Sequence, residues 1–279
     1  MVQAFNSNPH LKPLEQAMAA RFGWQTNAAW RESLIAAVKK KAARLGLDDA
    51  GYCRAALRSP AELDGLADLV TNNETIFFRD PEQFSALRLR VLPELISARS
   101  AQRSLNVWSA VCSTGEEAYS LAIELCEALP AGESWKPGVL ATDLRGSAIT
   151  SAVRGRYAAA AIGRIDRRLR ERYFLRAEAD GHGAFYDAAP EVKRMIAFRR
   201  ANLYDGNFWN GLDRQFDLIV CNNLLLYFHA LAVRQTVGRI AGALREGGLL
   251  AVTKNEAACV HHPRLQPDKS LPGAFFRKV

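Results

Sequence analysis

The sequence has little that would place the protein in a membrane, outside the cell or around a metal ion. No apolar run approaches the roughly 18 residues of a membrane-spanning helix, and the polar N-terminus lacks the apolar segment and cleavage site of a signal peptide. The five cysteines are scattered without a C-x-x-C pair, which argues against a zinc site and a disulfide framework. We therefore expect a cytoplasmic protein that holds no metal.

The charge of the chain is basic, with a formal net charge of +8 over 279 residues, so an acidic partner is expected. Nucleic acid is the usual first candidate, but no zinc finger, RNP motif or Lys/Arg-rich tail accompanies the charge. Much of the charge lies in two stretches: one contains Arg31, Lys39, Lys40, Lys41 and Arg44, and the other runs from Arg154 to Arg176. A solvated helix face is the alternative interpretation of each stretch.

The first part of the chain, residues 1–70, has the pattern of a small helical domain. Apolar residues recur there at three- and four-residue spacing, which is typical of amphipathic helices. Asp48 and Ser59 stand where helix N-caps belong, and Gly23 and Gly46 stand where helices should end. We expect this region to be helical and too small to be catalytic by itself.

From Leu105 onward, apolar strand patterns alternate with helical ones, which predicts a doubly wound, mostly parallel α/β sheet. The C-terminal LPGAFFRKV is predicted to add one further edge strand. The alternation lapses at about 162–198, which we interpret as an inserted β-subdomain with short strands around Gly181 and Gly183. The predicted domains are thus 1–70 and 71–279, the second with that insertion.

The turn CSTG between the first strand and its helix is the first candidate site, because ligands of doubly wound sheets lie beside this turn. Gly115 would let the backbone approach a ligand closely. Glu116 and Glu117 begin the helix, where the dipole stabilises carboxylates, and this stabilising role is the alternative to binding. Two acids disfavour a phosphate and suit a ligand with a cationic part, such as the amino acid end of S-adenosylmethionine. A nicotinamide or flavin is disfavoured because the turn is not G-x-G-x-x-G.

Polar residues follow the other strands of the predicted sheet. Asp143 ends the second strand, where an acid commonly accepts hydrogen bonds from ribose hydroxyls, or alternatively caps a helix. Asn202 and Leu203 follow the third strand, and an asparagine amide there can read adenine. Three more polar residues follow the fourth strand: Asn222, Asn223 and Tyr227. Their shared location predicts one nucleoside site.

The linker TNNETIFFRD, residues 71–80, combines polar amides with paired aromatics. Either it contributes to the site, or Phe77 and Phe78 dock the linker and Arg79 pairs with an acid.

Taken together, these motifs resemble the chemotaxis receptor methyltransferases, the CheR family. The similarity runs through nearly the whole chain in order. Its motifs are N-x-T-x-F-F-R at Asn73–Arg79, W-S-A-x-C-S-T-G-E-E-x-Y-S at Trp108–Ser120, A-T-D at Ala141–Asp143, N-L at Asn202–Leu203 and C-x-N-x-L-x-Y-F at Cys221–Phe228.

The resemblance implies a Rossmann-like methyltransferase sheet that uses S-adenosylmethionine to convert receptor glutamates into methyl esters. It implies that Arg79 and Tyr227 lie nearest the transferred methyl as catalytic residues. It also implies that the basic N-terminal helix and the β-subdomain hold a receptor's acidic cytoplasmic bundle, with no membrane insertion, and we expect a monomer. The implied cofactor-binding residues are Asn73, Thr75, Arg79, Glu116, Asp143, Asn202, Leu203, Asn222 and Asn223.

The chain departs from the family pattern at two places. Asn222 stands where the family usually has arginine, which removes a cation beside the cofactor. Thr253-Lys254-Asn255-Glu256 replaces the frequent G-H-S-E, and Lys254 is a candidate to supply the lost charge. Two alternative functions stay open at this point: a methyltransferase acting on nucleic acid or a small molecule, and a non-catalytic module that binds the cofactor.

Overall fold

The computed structural model describes residues 10–71, 74–130, 132–177, 184–212 and 215–279. Within them the N-terminal region is helical, as predicted. Asp48 and Ser59 cap their helices by accepting the backbone N–H of Gly51 and Glu62, and Gly23 and Gly46 end helices in the left-handed conformation. The helices are α1 (Leu11–Phe22), α2 (Ala28–Leu45), α3 (Asp49–Leu57) and α4 (Pro60–Val70).

The rest of the chain alternates between helices and strands. The strands are β1 (Ser104–Ser109), β2 (Lys136–Asp143), β3 (Arg156–Ala158), β4 (Phe174–Arg176), β5 (Phe185–Ala188), β6 (Ile196–Arg200), β7 (Phe216–Val220), β8 (Leu244–Val252), β9 (Leu265–Pro267) and β10 (Ala274–Lys278). The α-helices are α5 (Pro81–Ala86), α6 (Leu92–Ala98), α7 (Glu116–Ala128), α8 (Gly146–Arg154), α9 (Ala159–Ile162), α10 (Arg167–Tyr173), α11 (Pro190–Lys193), α12 (Gly206–Asn210) and α13 (Ala230–Ala243). A π-helical turn, Leu87–Val91, joins α5 to α6, and 3-10 helices lie at Leu225–Tyr227 and Lys254–Cys259.

Seven strands form the main sheet in the order β6-β2-β1-β7-β8-β10-β9. The pairs from β6 to β8 are parallel, and β10 is antiparallel to both of its neighbours. Leu218 and Val220 of β7 pack on one face and Ile219 on the other, so both faces of the sheet are buried. The predicted doubly wound fold is confirmed. Because the strand order reverses between β1 and β7, a crevice is expected at their carboxyl ends.

The prediction that the C-terminal LPGAFFRKV forms an edge strand is wrong. Strand β10 lies between β8 and β9, where Phe276 pairs with Leu250 on one side and Pro267 on the other. The outer strand is β9, which is only three residues long and ends in proline. Such a strand has no readable periodicity, and proline is tolerated at a sheet edge because it cannot donate to a ladder.

A second sheet, antiparallel and ordered β3-β5-β4, packs beside α7 and lies between Arg156 and Ala188. The short strands predicted around Gly181 and Gly183 lie outside the described residues. The domain limits at 1–70 and 71–279, with an insertion at about 162–198, stay predictions. None of the helices in the described ranges is long and apolar enough to cross a bilayer.

The helical region is fastened to the loop that follows β7. Trp24 forms an antiparallel bridge with Phe228. Beside it, the Gln25 N–H donates to the Tyr227 carbonyl at 2.7 Å, and the His229 N–H donates to the Gly23 carbonyl at 3.0 Å. The backbone of this loop is therefore held partly by the N-terminal helices.

Candidate active site

The turn after β1 takes a conformation that only small residues allow. Gly115 has a φ of 104°, and a Cβ placed there would lie 2.8 Å from the Tyr157 hydroxyl and 3.0 Å from the Ala152 Cβ. Ser113 is also left-handed, with a φ of 48°. Its buried hydroxyl has no hydrogen-bond partner among the described residues, so it is available to a ligand.

Asp143, at the end of β2, stabilises this turn by hydrogen bonds. Its Oδ2 accepts the Ser113 N–H and its Oδ1 accepts the Arg145 N–H, both at 2.9 Å. Burial raises the pKa of the carboxyl above its ordinary value, against the lowering effect of the backbone donors. Each carboxylate oxygen has a second lone pair that can accept a ribose hydroxyl. The two interpretations of Asp143, as ribose ligand and as turn cap, are therefore compatible.

The two acids at the start of α7 face different surroundings. The Glu116 carboxylate accepts the Thr114 hydroxyl at 2.6 Å and lies beside the turn. The Glu117 carboxylate accepts the Ser109 hydroxyl at 2.6 Å and the Asn222 amide at 3.0 Å, which places it between the carboxyl ends of β1 and β7. The geometry thus adds Glu117, which was absent from the predicted cofactor residues, to the candidate site; the role of Glu116 in cofactor binding stays a prediction.

The surroundings of the Glu117 carboxyl favour the binding of a cation. Burial raises its pKa to about 7, and the opposing effects of its hydrogen bonds and of the Arg79 charge are smaller. It forms no ion pair within the part of the chain that the structure describes. A ligand ammonium group would stabilise the ionised form, so this position suits the amino acid end of S-adenosylmethionine.

A buried amide network holds Glu117 in place. The Asn222 Nδ2 donates to Glu117 and, at 2.9 Å, to the Oε1 of Gln83. The Gln83 Nε2 donates to the Val252 carbonyl at 3.0 Å and to the Asn222 Oδ1 at 3.3 Å. Gln83 is only 1% exposed, and no motif in the sequence indicates its role. Lys254 pairs instead with Glu82, so the hypothesis that it supplies the missing cation finds no support in its contacts.

The linker is docked on the body of the protein by its aromatic pair. Phe77 is buried against Tyr157 and Phe174, with ring centroids 4.9 and 5.1 Å away. The Phe78 N–H donates to the Ser120 hydroxyl at 3.0 Å. These contacts confirm the docking of the aromatic pair.

Arg79 does not pair with an acid among the described residues, contrary to the alternative considered for it. Its Nη1 donates to the Glu74 carbonyl at 2.7 Å, and the side chain is exposed. Thr75 is half-buried in the same segment. Asn73 lies outside the described residues, so its predicted role in cofactor binding stays a prediction.

Asn202 and Leu203 lie at the end of β6, and both carry structural contacts. The Asn202 amide donates to the Arg21 carbonyl at 2.8 Å and accepts the Tyr204 N–H at 3.0 Å. Leu203 is buried, and its carbonyl accepts the Trp209 indole N–H at 2.9 Å. Asn202 therefore joins the sheet to α1. Its amide keeps a second N–H and a second acceptor lone pair, and the reading of adenine by these groups stays a prediction.

Asn223 and Tyr227 lie on the loop after β7. Asn223 is left-handed, with a φ of 61°. The Tyr227 side chain is 54% exposed, while its backbone is held by Gln25. A ring that is accessible on a fixed backbone is suited to contact an incoming substrate.

The donor set at these strand tips fits S-adenosylmethionine: a half-buried glutamate for the ammonium, a buried aspartate for the ribose and a glycine turn for close approach. Residues 73–270 match the family described as CheR methyltransferase, SAM binding domain. The chain belongs to the CheR methyltransferase family. The resemblance inferred from the motifs is confirmed, and S-adenosylmethionine is the cofactor of this CheR family methyltransferase.

Three curated relatives carry related names. Chemotaxis protein methyltransferase 1 of Pseudomonas aeruginosa is 40% identical over 217 residues, which is 76% of each chain. Chemotaxis protein methyltransferase Cher2 of Pseudomonas putida is 36% identical over the same length and the same shares of both chains. Chemotaxis protein methyltransferase of Listeria innocua is 34% identical over 194 residues, 70% of this chain and 69% of its own.

Cofactor binding by this CheR family member should depend on pH through Glu117. Below a pKa of about 7 the carboxyl is protonated, and an incoming ammonium must displace that proton. The affinity for S-adenosylhomocysteine should therefore rise about tenfold between pH 6 and 8, with a proton released at the lower pH. Calorimetric titrations in buffers of different ionisation enthalpy measure both quantities. Glu117→Gln should bind more weakly and without proton release; an unchanged pH dependence in that variant would exclude Glu117 as the linked group.

Asp143→Ala should weaken S-adenosylhomocysteine binding at least tenfold, since an unpaired ribose contact costs ~1–3 kcal/mol. Calorimetry measures the affinity, and thermal unfolding measures the cost to the turn. Asp166→Ala is the matched control, because Asp166 also accepts two backbone N–H groups but caps α10 in the small subdomain. Equal affinities in both variants would remove Asp143 from the cofactor site.

Proposed function

We propose that the protein transfers the methyl group of S-adenosylmethionine to glutamate side chains of a methyl-accepting chemotaxis-type receptor, forming glutamyl methyl esters. It acts as a monomer in the cytoplasm, on the receptor's cytoplasmic domain. The proposal is supported by the names of the relatives, chemotaxis protein methyltransferases of two Pseudomonas species and Listeria innocua. Its main structural support is the half-buried Glu117 carboxyl between the tips of β1 and β7, which offers a cationic methyl donor its counter-charge.

Methyl transfer to a glutamate requires no activation of the acceptor by the protein. A glutamate carboxylate is already ionised at neutral pH, so no general base is needed to make it a nucleophile. The cofactor supplies a methyl group activated by its sulfonium. The residues of this chain therefore have to align the acceptor and exclude water.

Arg79 and Tyr227 are the residues proposed to align the acceptor carboxylate. Arg79 is exposed on the docked linker, within electrostatic reach of Glu117, and one of its five N–H donors is used by Glu74. Its planar fork matches the geometry of a carboxylate. Tyr227 can donate one hydrogen bond to the same carboxylate, which holds one oxygen and leaves the other to react.

Both basic stretches keep charge available for a receptor. On α2, Lys40 and Arg44 lie one helical turn apart, are exposed and form no ion pair among the residues described. In the second stretch several arginines have acidic partners: Arg156 pairs with Asp187, Arg167 with Glu171, and Arg168 and Arg172 with Glu127. Arg154, Arg164 and Arg176 are exposed there without an ion pair among the described residues. We propose that an acidic helical bundle meets α2, and the second stretch is the alternative that the test below distinguishes.

Arg79→Ala should lower the methylation rate of receptor-containing membranes by about 100-fold or more, because misalignment alone can cost that much. The assay uses labelled S-adenosylmethionine and counts label released by mild base, which identifies a carboxyl ester and distinguishes it from N-methylated bases. Arg90→Ala, at an exposed arginine on the π-helical turn, is the control and should behave like the wild type. A folded Arg79→Ala protein with near-normal turnover would restrict Arg79 to a structural role in the linker.

The double variant Lys40→Glu/Arg44→Glu should lose most receptor methylation at low salt while binding S-adenosylhomocysteine normally. Reversing two charges repels an acidic partner, and the effect should shrink as ionic strength screens it. Arg264→Glu/Lys269→Glu makes the same change in net charge beside the edge strand β9 and is the matched control. Normal methylation by the α2 variant would defeat the docking hypothesis and direct attention to Arg164–Arg176.

A further inference from the structure

Glu256 is a fully buried acid that is not among the predicted cofactor-binding residues. It lies just after β8, in the first turn of the 3-10 helix, and is 0% exposed. Its carboxylate accepts five hydrogen bonds. The donors are the backbone N–H groups of Asn223, Leu224 and Leu225 at 2.7 Å each, the Thr253 hydroxyl at 2.6 Å and the Thr253 N–H at 3.3 Å.

Three of these donors are consecutive backbone groups of the loop after β7. Successive N–H groups that converge on one point form a nest for an anion, and here the protein supplies the anion itself. The nest requires Asn223 to adopt its left-handed φ of 61°, which is unfavourable for a residue other than glycine. Glu256 therefore determines the path of the loop at this point.

This loop carries groups of the candidate active site on both sides of the nest. Just before it, the Asn222 amide donates to Glu117 at 3.0 Å. Just after it, the exposed Tyr227 follows on the same loop, and its carbonyl accepts the Gln25 N–H. A change in the path of residues 223–225 would displace both Asn222 and Tyr227.

We propose that Glu256 is a positioning residue for methyl transfer: by gathering the N–H groups of residues 223–225, it holds Asn222 against Glu117 and Tyr227 at the crevice. This inference rests on the proposed active site, and it acts through the loop without contact to cofactor or substrate. The role requires a carboxylate, because all five partners donate hydrogen bonds and an ionised carboxyl only accepts them.

Two substitutions separate this role from simple packing. Glu256→Gln keeps the volume but turns an amide NH₂ toward N–H and O–H donors, so the nest should open. Glu256→Asp keeps an acceptor-only group and withdraws it by one methylene. If the function of Glu256 is to accept hydrogen bonds, Glu256→Asp should retain more activity than Glu256→Gln. If its function is to fill space, Glu256→Gln should retain more activity than Glu256→Asp.

The experiment measures S-adenosylhomocysteine affinity by calorimetry and the methylation rate of receptor membranes, both well below the unfolding temperature. Glu256→Gln should lose affinity and turnover by about tenfold or more, and Glu256→Asp by about threefold. Hydrogen exchange of the amides of residues 223–225 should be faster in both variants. Glu124→Gln is the matched control, since Glu124 is a buried acid paired with Arg88 outside the crevice; it should lower the unfolding temperature without changing affinity.

Wild-type affinity and turnover in a destabilised but folded Glu256→Gln protein would overturn the proposal, as would a better result for Gln than for Asp. If Glu256→Gln does not fold, Glu256→Asp decides alone: weakened affinity supports the role, and wild-type values contradict it. The affinity measurement needs no receptor, so it tests Glu256 even if receptor methylation by the wild type fails and the proposed function with it.

Discussion

The candidate site depends on negative charge buried where the strand order reverses. Two carboxyls, Glu117 and Glu256, lie close enough there for the charge of Glu256 to raise the pKa of Glu117. Their surroundings differ. Glu256 accepts five hydrogen bonds, three of them from one loop, whereas Glu117 accepts one from Ser109 and one from Asn222. The Glu256 carboxylate is therefore fully hydrogen-bonded within the protein and holds the loop in place. The Glu117 carboxylate has fewer donors, and a cationic ligand can stabilise its ionised form.

The N-terminal helices are part of the same arrangement, although they contribute no strand to either sheet. Arg21 accepts from Asn202 at the end of β6, and Gln25 donates to Tyr227 after β7. Helix α2 begins at Ala28, three residues beyond Gln25. The basic helix proposed to meet the receptor is thus joined through a short segment to the residue proposed to meet the acceptor carboxylate. Contacts of this kind fix the distance between docking surface and methylation site, which a flexible tether would leave variable.

The sequence predicts the elements whose periodicity or caps are local, but it does not predict side-chain contacts that depend on distant partners. The long apolar strands and the caps at Asp48 and Ser59 were predicted correctly because their determinants are local. Glu116 and Glu117 look equivalent in sequence, yet successive helical residues point about 100° apart, and only the packing of α7 on β1 decides which one faces the crevice. The hydrogen bond from Asn202 to the Arg21 carbonyl was not predicted, because Arg21 is remote in sequence and leaves no local signal; the assignment of Asn202 to adenine stays a prediction.

The departure at Asn222 illustrates how such a site tolerates the loss of an arginine. An arginine beside Glu117 would neutralise it, and Lys254 does not take over that role because it pairs with Glu82 at the surface. Asn222 instead donates a neutral hydrogen bond to the same carboxylate, and Gln83 completes the amide with two hydrogen bonds. The carboxyl is thereby oriented without being neutralised by a direct ion pair. Within the described residues, the positive charge that lowers the pKa of Glu117 comes from Arg79. Because Arg79 is also proposed to align the acceptor carboxylate, the charges of cofactor and acceptor would both act on this one arginine.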